Sequence, residues 1–125
     1  MAEHNELGKW GEEIAEKYLY DNGYVIRERD WRYGHRDIDI IALTQDAQTL
    51  VFIEVKTRSS NELTTPEQAI DANKIRNLGI AANSYLKRND VNADIRFDVI
   101  TIVKKRGTEP IIEHIEDAFN PMLVY

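Results

Sequence analysis

Two stretches decide how this chain folds: Asp37-Ile38-Asp39-Ile40-Ile41-Ala42 and, a few residues on, Val51-Phe52-Ile53-Glu54-Val55-Lys56-Thr57. Both are runs of β-branched and apolar residues interrupted only by charge, the pattern of strands that feed a core. Side chains on a strand alternate between faces, so Glu54 and Lys56 point one way while Ile53 and Val55 point the other. By the same alternation Asp37 and Asp39 are expected to share a face. Strands at about 37–43 and 49–57, joined by the turn-like Thr44-Gln45-Asp46-Ala47-Gln48, make a hairpin that delivers the acids together.

Working outward, Leu7, Trp10, Ile14 and Tyr18 recur at helical spacing, Ala15 and Leu19 widen the stripe, and Asn22-Gly23 supplies a stop. Tyr24-Val25-Ile26 reads as a short strand, followed by a polar and aromatic segment from Arg27 to Tyr33. On the other side a second helix is predicted to open at Thr65, with Pro66 in the first helical position and Gln68 completing a capping box. Its apolar stripe is Ile75, Leu78, Ala82, Tyr85 and Leu86, with Ile70 one turn earlier, and Asn89-Asp90 closes it. Ile95 to Val103 is the most strand-like run in the chain, and a last strand is expected near Ile111–Ile115. With no repeat and no linker, residues 1–125 are expected to form one α/β domain, a central mixed β-sheet flanked by helices.

Composition narrows the function. At 42% hydrophobic and 30% charged residues the chain has the make-up of a soluble globular protein. It has no cysteine, which excludes disulfides and thiolate metal sites, and His4, His35 and His114 are too scattered to argue for zinc. The N-terminus lacks the basic-then-apolar build of a signal peptide and no apolar run could span a bilayer, so a cytoplasmic protein with no membrane partner is expected. The net charge of −6 is unevenly spread. Residues 1–23 hold six acids against Lys9 and Lys17, and residues 107–125 hold four acids and no base, leaving a middle of 12 acids and 14 bases. A locally basic face is therefore allowed in a chain that is acidic as a whole.

Like charges gathered at the edge of a buried sheet are destabilising without a cation. If Asp39 and Glu54 bind Mg²⁺, a hard ion that takes oxygen ligands and usually keeps several waters, the carbonyl of Val55 can add another oxygen. A bound metal acidifies its water and stabilises charge on a phosphoryl oxygen, and Lys56, on the face of Glu54, can orient that water or steady the anion. The same residues also fit an ion pair of Glu54 with Lys56, with Asp39 capping a turn. No covalent nucleophile stands in a triad-like setting.

Asp39, a gap, and Glu54-Val55-Lys56 on the second arm of a hairpin resemble the PD-(D/E)XK nuclease superfamily, whose fold is restriction-endonuclease-like. The chain is more similar still to the small bacterial YraN-like family of predicted nucleases, nearly from end to end. The landmarks are Leu7-Gly8, Gly11-Glu12 and Ala15, then Gly23-Tyr24-Val25-Ile26, the two strands quoted above with Arg58, then Lys74, Arg96-Phe97-Asp98-Val99, His114-Ile115 and Asp117-Ala118-Phe119. The resemblance implies Asp39 and Glu54 as metal ligands, Lys56 as catalytic lysine and Glu12 as an acidic contributor from the first helix. Seven residues at about 100° each bring Glu12 beside the stripe near Leu19, although a solvated glutamate favoured by the helix dipole has the same sequence. Two departures concern the loop geometry: Arg36-Asp37-Ile38-Asp39 stands where the family usually has Gly-Glu-Ile-Asp, and Ile38 replaces the proline of the superfamily's name.

Arg27, Arg29, Trp31, Arg32, Tyr33, His35 and Arg36 form an arginine–aromatic stretch, interrupted by Glu28 and Asp30, that leads into Asp37. Arginines pair with phosphates and aromatics stack on unpaired bases, although Trp31 and Tyr33 also suit a core. Arg32, Arg36, Arg58 and Lys74 are the candidate nucleic-acid contacts. The leading expectation is a nuclease that uses Mg²⁺ (or Mn²⁺) to hydrolyse phosphodiester bonds in DNA, branched or otherwise structured forms included. Enzymes of the superfamily often dimerise to cut both strands, so a homodimer is a further expectation. The alternatives are a non-catalytic nucleic-acid-binding module that keeps the fold and a protein-interaction module that uses the acidic ends.

Overall fold

The hairpin around the acids forms the middle of a five-stranded sheet. A computed structural model describes residues 2–59, 70–104, 107 and 109–121. In chain order the elements are α1 (Ala2–Asp21), β1 (Val25–Tyr33), β2 (Arg36–Leu43), β3 (Thr49–Ser59), α2 (Ala72–Arg88), β4 (Asp94–Lys104) and β5 (Ile111–Ile115). The strands lie side by side in sequence order. All neighbours are antiparallel except β3 and β4, which run parallel across the α2 crossover from Thr49↔Asp94 to Ser59↔Lys104.

Burial explains the order. Leu50 to Val55 on β3 are buried without a break, as a central strand covered on both faces must be. One face carries Ile40, Ala42, Val51, Ile53, Ile100 and Ile102 against Ala15 and Leu19 of α1. The other carries Ile38, Ile41, Leu50 and Phe52 against Leu78, Ala82 and Tyr85 of α2. The result is an α/β fold of three layers, one helix on each side of a mixed sheet.

Local signals act where the sequence places them. Gly23 adopts φ 87°, and Tyr24 N–H returns to Leu19 C=O at 2.9 Å, which ends α1. The segment Arg27–Tyr33 does not leave the strand: β1 continues to Tyr33, because an edge strand with one solvated side tolerates polar residues. Within it Trp31 packs edge-on to Tyr85 at 5.2 Å, so it belongs to the core, while Tyr33 lies under the Arg88 guanidinium. The start of α2 differs from expectation. Asp71 caps it, its Oδ1 accepting from Lys74 N–H at 2.8 Å, and Ile70 lies in a bend before the helix. Thr65, Pro66 and Gln68 lie outside the described residues, as do Lys105, Arg106, Val124 and Tyr125. Among the described residues no helix is long and apolar enough to cross a membrane.

Candidate functional site

The acids meet at a fork between strands. The register of β2 on β3 runs from Leu43↔Leu50 to Ile40↔Ile53. At the next step the Asp39 side chain takes over, its Oδ2 accepting from Val55 N–H at 2.8 Å. A carboxylate thus occupies the place of a ladder bond and holds the fork open.

At the same step both strands break alternation. On β2, Ile38 faces α2 whereas Ile40 faces α1, though two residues apart they would share a face in a regular strand. On β1, Arg29 reaches Glu16 of α1 at 2.7 Å, whereas Trp31 packs on Tyr85 of α2. Between them Asp30 adopts φ 49°, a left-handed conformation that Asp tolerates better than most residues. Arg29 pairs with Ile40 and Trp31 with Ile38, so Asp30 and Asp39 stand opposite each other at the slip.

The acids reach the fork from both faces of the sheet. Carboxylate oxygens of Glu12, Asp30 and Asp39 all lie within 4.8 Å of one another on the α1 side. Glu54, between Ile53 and Val55 of the α1 face, lies towards α2, whose Lys74 Nζ stands 3.7 Å from Glu54 Oε2 and 3.4 Å from Asp37 Oδ1. Asp37 and Asp39, on either side of Ile38, line the same cavity, and the inversion falls between Ile38 and Ile40. Glu12, Asp37, Asp39, Glu54, Val55 and Lys74 nevertheless line one cavity of about 240 Å³.

Its electrostatics are those of crowded acids. Burial, then the charge of Asp39, pushes Glu54 up to about 8. Burial, then Asp39 and Asp30, pushes Glu12 up to about 7, and Glu12 shares a side-chain hydrogen bond with Asp39. Burial also raises Asp39 above the usual carboxylate range, against the bond from Val55 N–H and the charge of Lys74. For Lys74 burial favours proton loss, but Glu54, Asp37 and Asp39 outweigh it and raise its pKa. Glu54 is only 4% exposed, and its Oε2 is buried with no hydrogen bond.

A cation fits these groups on two observations. The donor set is entirely oxygen, as Mg²⁺ and Mn²⁺ prefer. The Glu54 oxygen without a hydrogen bond is the feature that a ligand would satisfy.

The other sequence candidates are distributed around this centre. Lys56 Nζ lies 3.5 Å from Glu54 Oε1, with about a quarter of its side chain exposed, and is not among the residues lining the cavity. Arg36 Nε donates to Asn77 Oδ1 at 3.2 Å, Arg32 is exposed, and Arg58 Nη1 donates to Thr57 C=O at 3.3 Å. Lys74, read as a phosphate contact, lines the cavity itself. Asp30 was missed because it reads as an acid interrupting a basic stretch. Its signal, an Asp at a strand position opposite Asp39, exists only once the register is known.

Known proteins are similar to this chain along its length. The family model described as "Uncharacterised protein family UPF0102" matches residues 11–102. A UPF0102 protein of Bacteroides thetaiotaomicron is 46% identical over 123 residues, 98% of this chain and 99% of its own. One from Flavobacterium psychrophilum is 46% identical over 119 residues, 95% and 98% of the two chains. Among solved structures, Pyrococcus furiosus SfsA in complex with Ca²⁺ is similar with a TM-score of 0.37 and 16% identity, across 90% of this chain and 63% of that one.

Proposed function

This chain belongs to the uncharacterised protein family UPF0102, and we propose that in it the fork is the centre of a nuclease of restriction-endonuclease-like fold, hydrolysing phosphodiester bonds in DNA with Mg²⁺ or Mn²⁺. The observation that carries the reading is Glu54, buried beside Asp39 and Glu12 with an oxygen that accepts no hydrogen bond. Its partners, the Lys56 and Lys74 ammonium groups at 3.5 and 3.7 Å, leave that oxygen without a hydrogen bond, and such incompletely met buried acids are found where a ligand uses them.

Asp39, Glu54 and Glu12 would hold the ion. When bound it supplies an acidified water and charge stabilisation at the phosphoryl group. Asp39 would be fixed for that task by Val55 N–H, which occupies only its Oδ2. Lys56, 3.5 Å from Glu54 Oε1, would orient Glu54 from outside the cavity and meet a phosphate arriving there. Lys74, already within the cavity, balances Asp37 and Glu54 until an ion and substrate take over part of that role. Arg32, Arg36 and Arg58 supply the flanking positive charge for a polynucleotide backbone.

The test is cleavage of single strands, flaps and four-way junctions with Mg²⁺ or Mn²⁺, with Asp39→Asn and Lys56→Ala as comparisons. Activity that survives both changes removes these residues from the mechanism. A second reading is favoured by Lys74, because an ammonium between Asp37 and Glu54 can neutralise the acids permanently. On that reading the chain binds nucleic acid without cutting it, and binding would fall with salt yet ignore EDTA.

A further inference from the structure

We infer that Lys74 makes the binding of ion and nucleic acid depend on each other: it is held by Asp37 and Glu54 without an ion and released to a backbone phosphate with one. The inference rests on the metal-dependent reading above and gives its cavity a lysine outside the acid–acid–lysine pattern. Two lysines flank Glu54, and they are not equivalent. Lys56 Nζ lies 3.5 Å from Oε1 and is not among the residues lining the cavity. Lys74 does line it. Its Nζ stands 3.4 Å from Asp37 Oδ1 and 3.7 Å from Glu54 Oε2, the oxygen that accepts no hydrogen bond. A divalent ion taking that oxygen would meet the like charge of the ammonium at short range, so the two compete for Glu54.

The helix itself does not explain this lysine. Asp71 caps α2, which places Lys74 in the first turn, where the helix dipole disfavours positive charge. Lys87 and Arg88 stand in the last turn, where the dipole favours it. What holds Lys74 is the cavity: burial favours loss of its proton, but Glu54, Asp37 and Asp39 outweigh it. The hold is loose. The hydrogen bond to Asp37 Oδ1 is long, 3.4 Å, and Glu54 stays beyond bonding distance. With 29% of the side chain exposed and a flexible four-carbon stem, the ammonium can swing outward while the helix stays in place. Neutralising Glu54 removes much of that hold, and a phosphate oxygen offers the ammonium a charged acceptor instead. Such linkage is reciprocal, so a phosphate that draws Lys74 away also favours the ion.

Lys74→Met and Lys74→Arg test the inference without requiring turnover, and both keep the backbone N–H that the Asp71 cap accepts. Mn²⁺ binding to the full chain at pH 8, followed by calorimetry and by electron paramagnetic resonance of the free ion, should tighten about tenfold in Lys74→Met. Lys74→Arg, which keeps the charge, and Lys87→Met, at the far end of the helix, should stay within about twofold of the unaltered chain. A lysine that only supports the fold would give no tightening. The second readout is fluorescence anisotropy of a labelled phosphorothioate oligonucleotide, which resists hydrolysis. In EDTA, Lys74→Met should bind it within about twofold of the unaltered chain; with Mn²⁺ it should bind at least about fivefold more weakly. Equal weakening in both conditions would make Lys74 an ordinary phosphate contact. That result, or an unchanged Mn²⁺ affinity in Lys74→Met, would overturn the inference and leave the nuclease reading standing. No Mn²⁺ uptake by the unaltered chain would overturn both.

Discussion

Two buried carboxylates on neighbouring central strands have opposite fates. Asp98 on β4 is fully buried and fully met: Arg96 donates to both its oxygens at 2.9 and 2.8 Å, His114 Nε2 lies 2.7 Å from Oδ2, and Asp117 N–H donates to Oδ1 at 3.0 Å. Burial alone would raise its pKa, but the bonds from His114, Arg96 and Asp117 outweigh it and hold it below the usual range. Glu54 on β3 is nearly as buried, faces two ammonium groups beyond hydrogen-bonding distance, and is pushed up to about 8. The chain is evidently able to satisfy a buried acid in full. That it does so at Asp98, where the C-terminal segment is tied to the sheet, and not at Glu54 separates an acid that holds structure from one that, on the proposed reading, is left for an ion.

The comparison breaks first at its structural end. Asp98→Ala strands Arg96 and His114 without their buried anion, and removing one partner of such a pair costs about 3–5 kcal/mol. Urea unfolding should show that loss with or without Mn²⁺; a loss of under about 1 kcal/mol would mean that the network is decorative. Asp39→Asn should behave in the reverse way. Asn keeps an acceptor for Val55 N–H while one charge leaves a crowded cluster, so the melting temperature without metal should not fall. Cleavage should drop by about a hundredfold, equivalent to about 2.7 kcal/mol of transition-state stabilisation. A variant that melts early and cleaves normally would exchange the roles assigned to Asp39 and Asp98.

How much of this was legible depends on what a single residue can encode. The strands β2, β3 and β4 announce themselves by unbroken β-branched runs, and the stripe Leu7, Trp10, Ile14, Tyr18 announces α1, because burial acts on every residue of such a run. Membership of the small YraN-like family was equally readable from the landmarks between Gly11-Glu12 and Arg96-Phe97-Asp98-Val99, and the UPF0102 match over residues 11–102 bears that family out. The site itself was half legible. Asp39, Glu54 and Glu12 do converge, but the fork that brings them together is a one-residue slip shared by Asp30 and Asp39. Period-two reasoning cannot see such a slip, since no pattern in either strand alone marks where the pleat inverts. Lys74 was assigned to substrate for a related reason: its place beside Glu54 comes from the docking of α2, not from the helix's own periodicity.

The pH dependence of stability sharpens the contrast at lower cost. Glu54 and Glu12 hold protons in the folded state at pH values where the unfolded chain has released them. Stability from these groups is therefore present below about pH 4.5 and is lost as pH rises towards 7–8, the span of their folded values. Asp98 acts on the other limb: its contribution is present above the ordinary Asp range and is lost as pH falls through its lowered value. Without metal, unfolding free energy should decline by roughly 4 kcal/mol between about pH 5 and 8, because Glu54 keeps its proton across those three pH units at about 1.4 kcal/mol each, with a smaller share from half-exposed Glu12. If Mn²⁺ displaces those protons, its stabilising effect should grow over the same interval. A flat profile in Glu54→Gln would assign the decline to the fork; an unchanged one would assign it elsewhere.

The smallest effect separates two glycines on one helix. Gly11 is buried where α1 crosses β3, and a Cβ there would collide with the Thr57 side chain. Gly8, one turn earlier, has nothing within 4 Å of the same added atom. Gly8→Ala should therefore gain up to about 1 kcal/mol, the ordinary benefit of alanine inside a helix. Gly11→Ala should lose about 1–2 kcal/mol, because an overpacked contact is relieved only by shifting the helix. Glu12 is the next residue, so that shift moves its carboxyl relative to Asp30 and Asp39. If the fork depends on the seat of α1, Gly11→Ala will weaken Mn²⁺ binding by more than its loss of stability accounts for, and Gly8→Ala will leave it unchanged. Equal affinity in the two variants would mean that the Glu12 side chain absorbs the displacement, and that β1 and β2, not the helix, set the geometry of the acids.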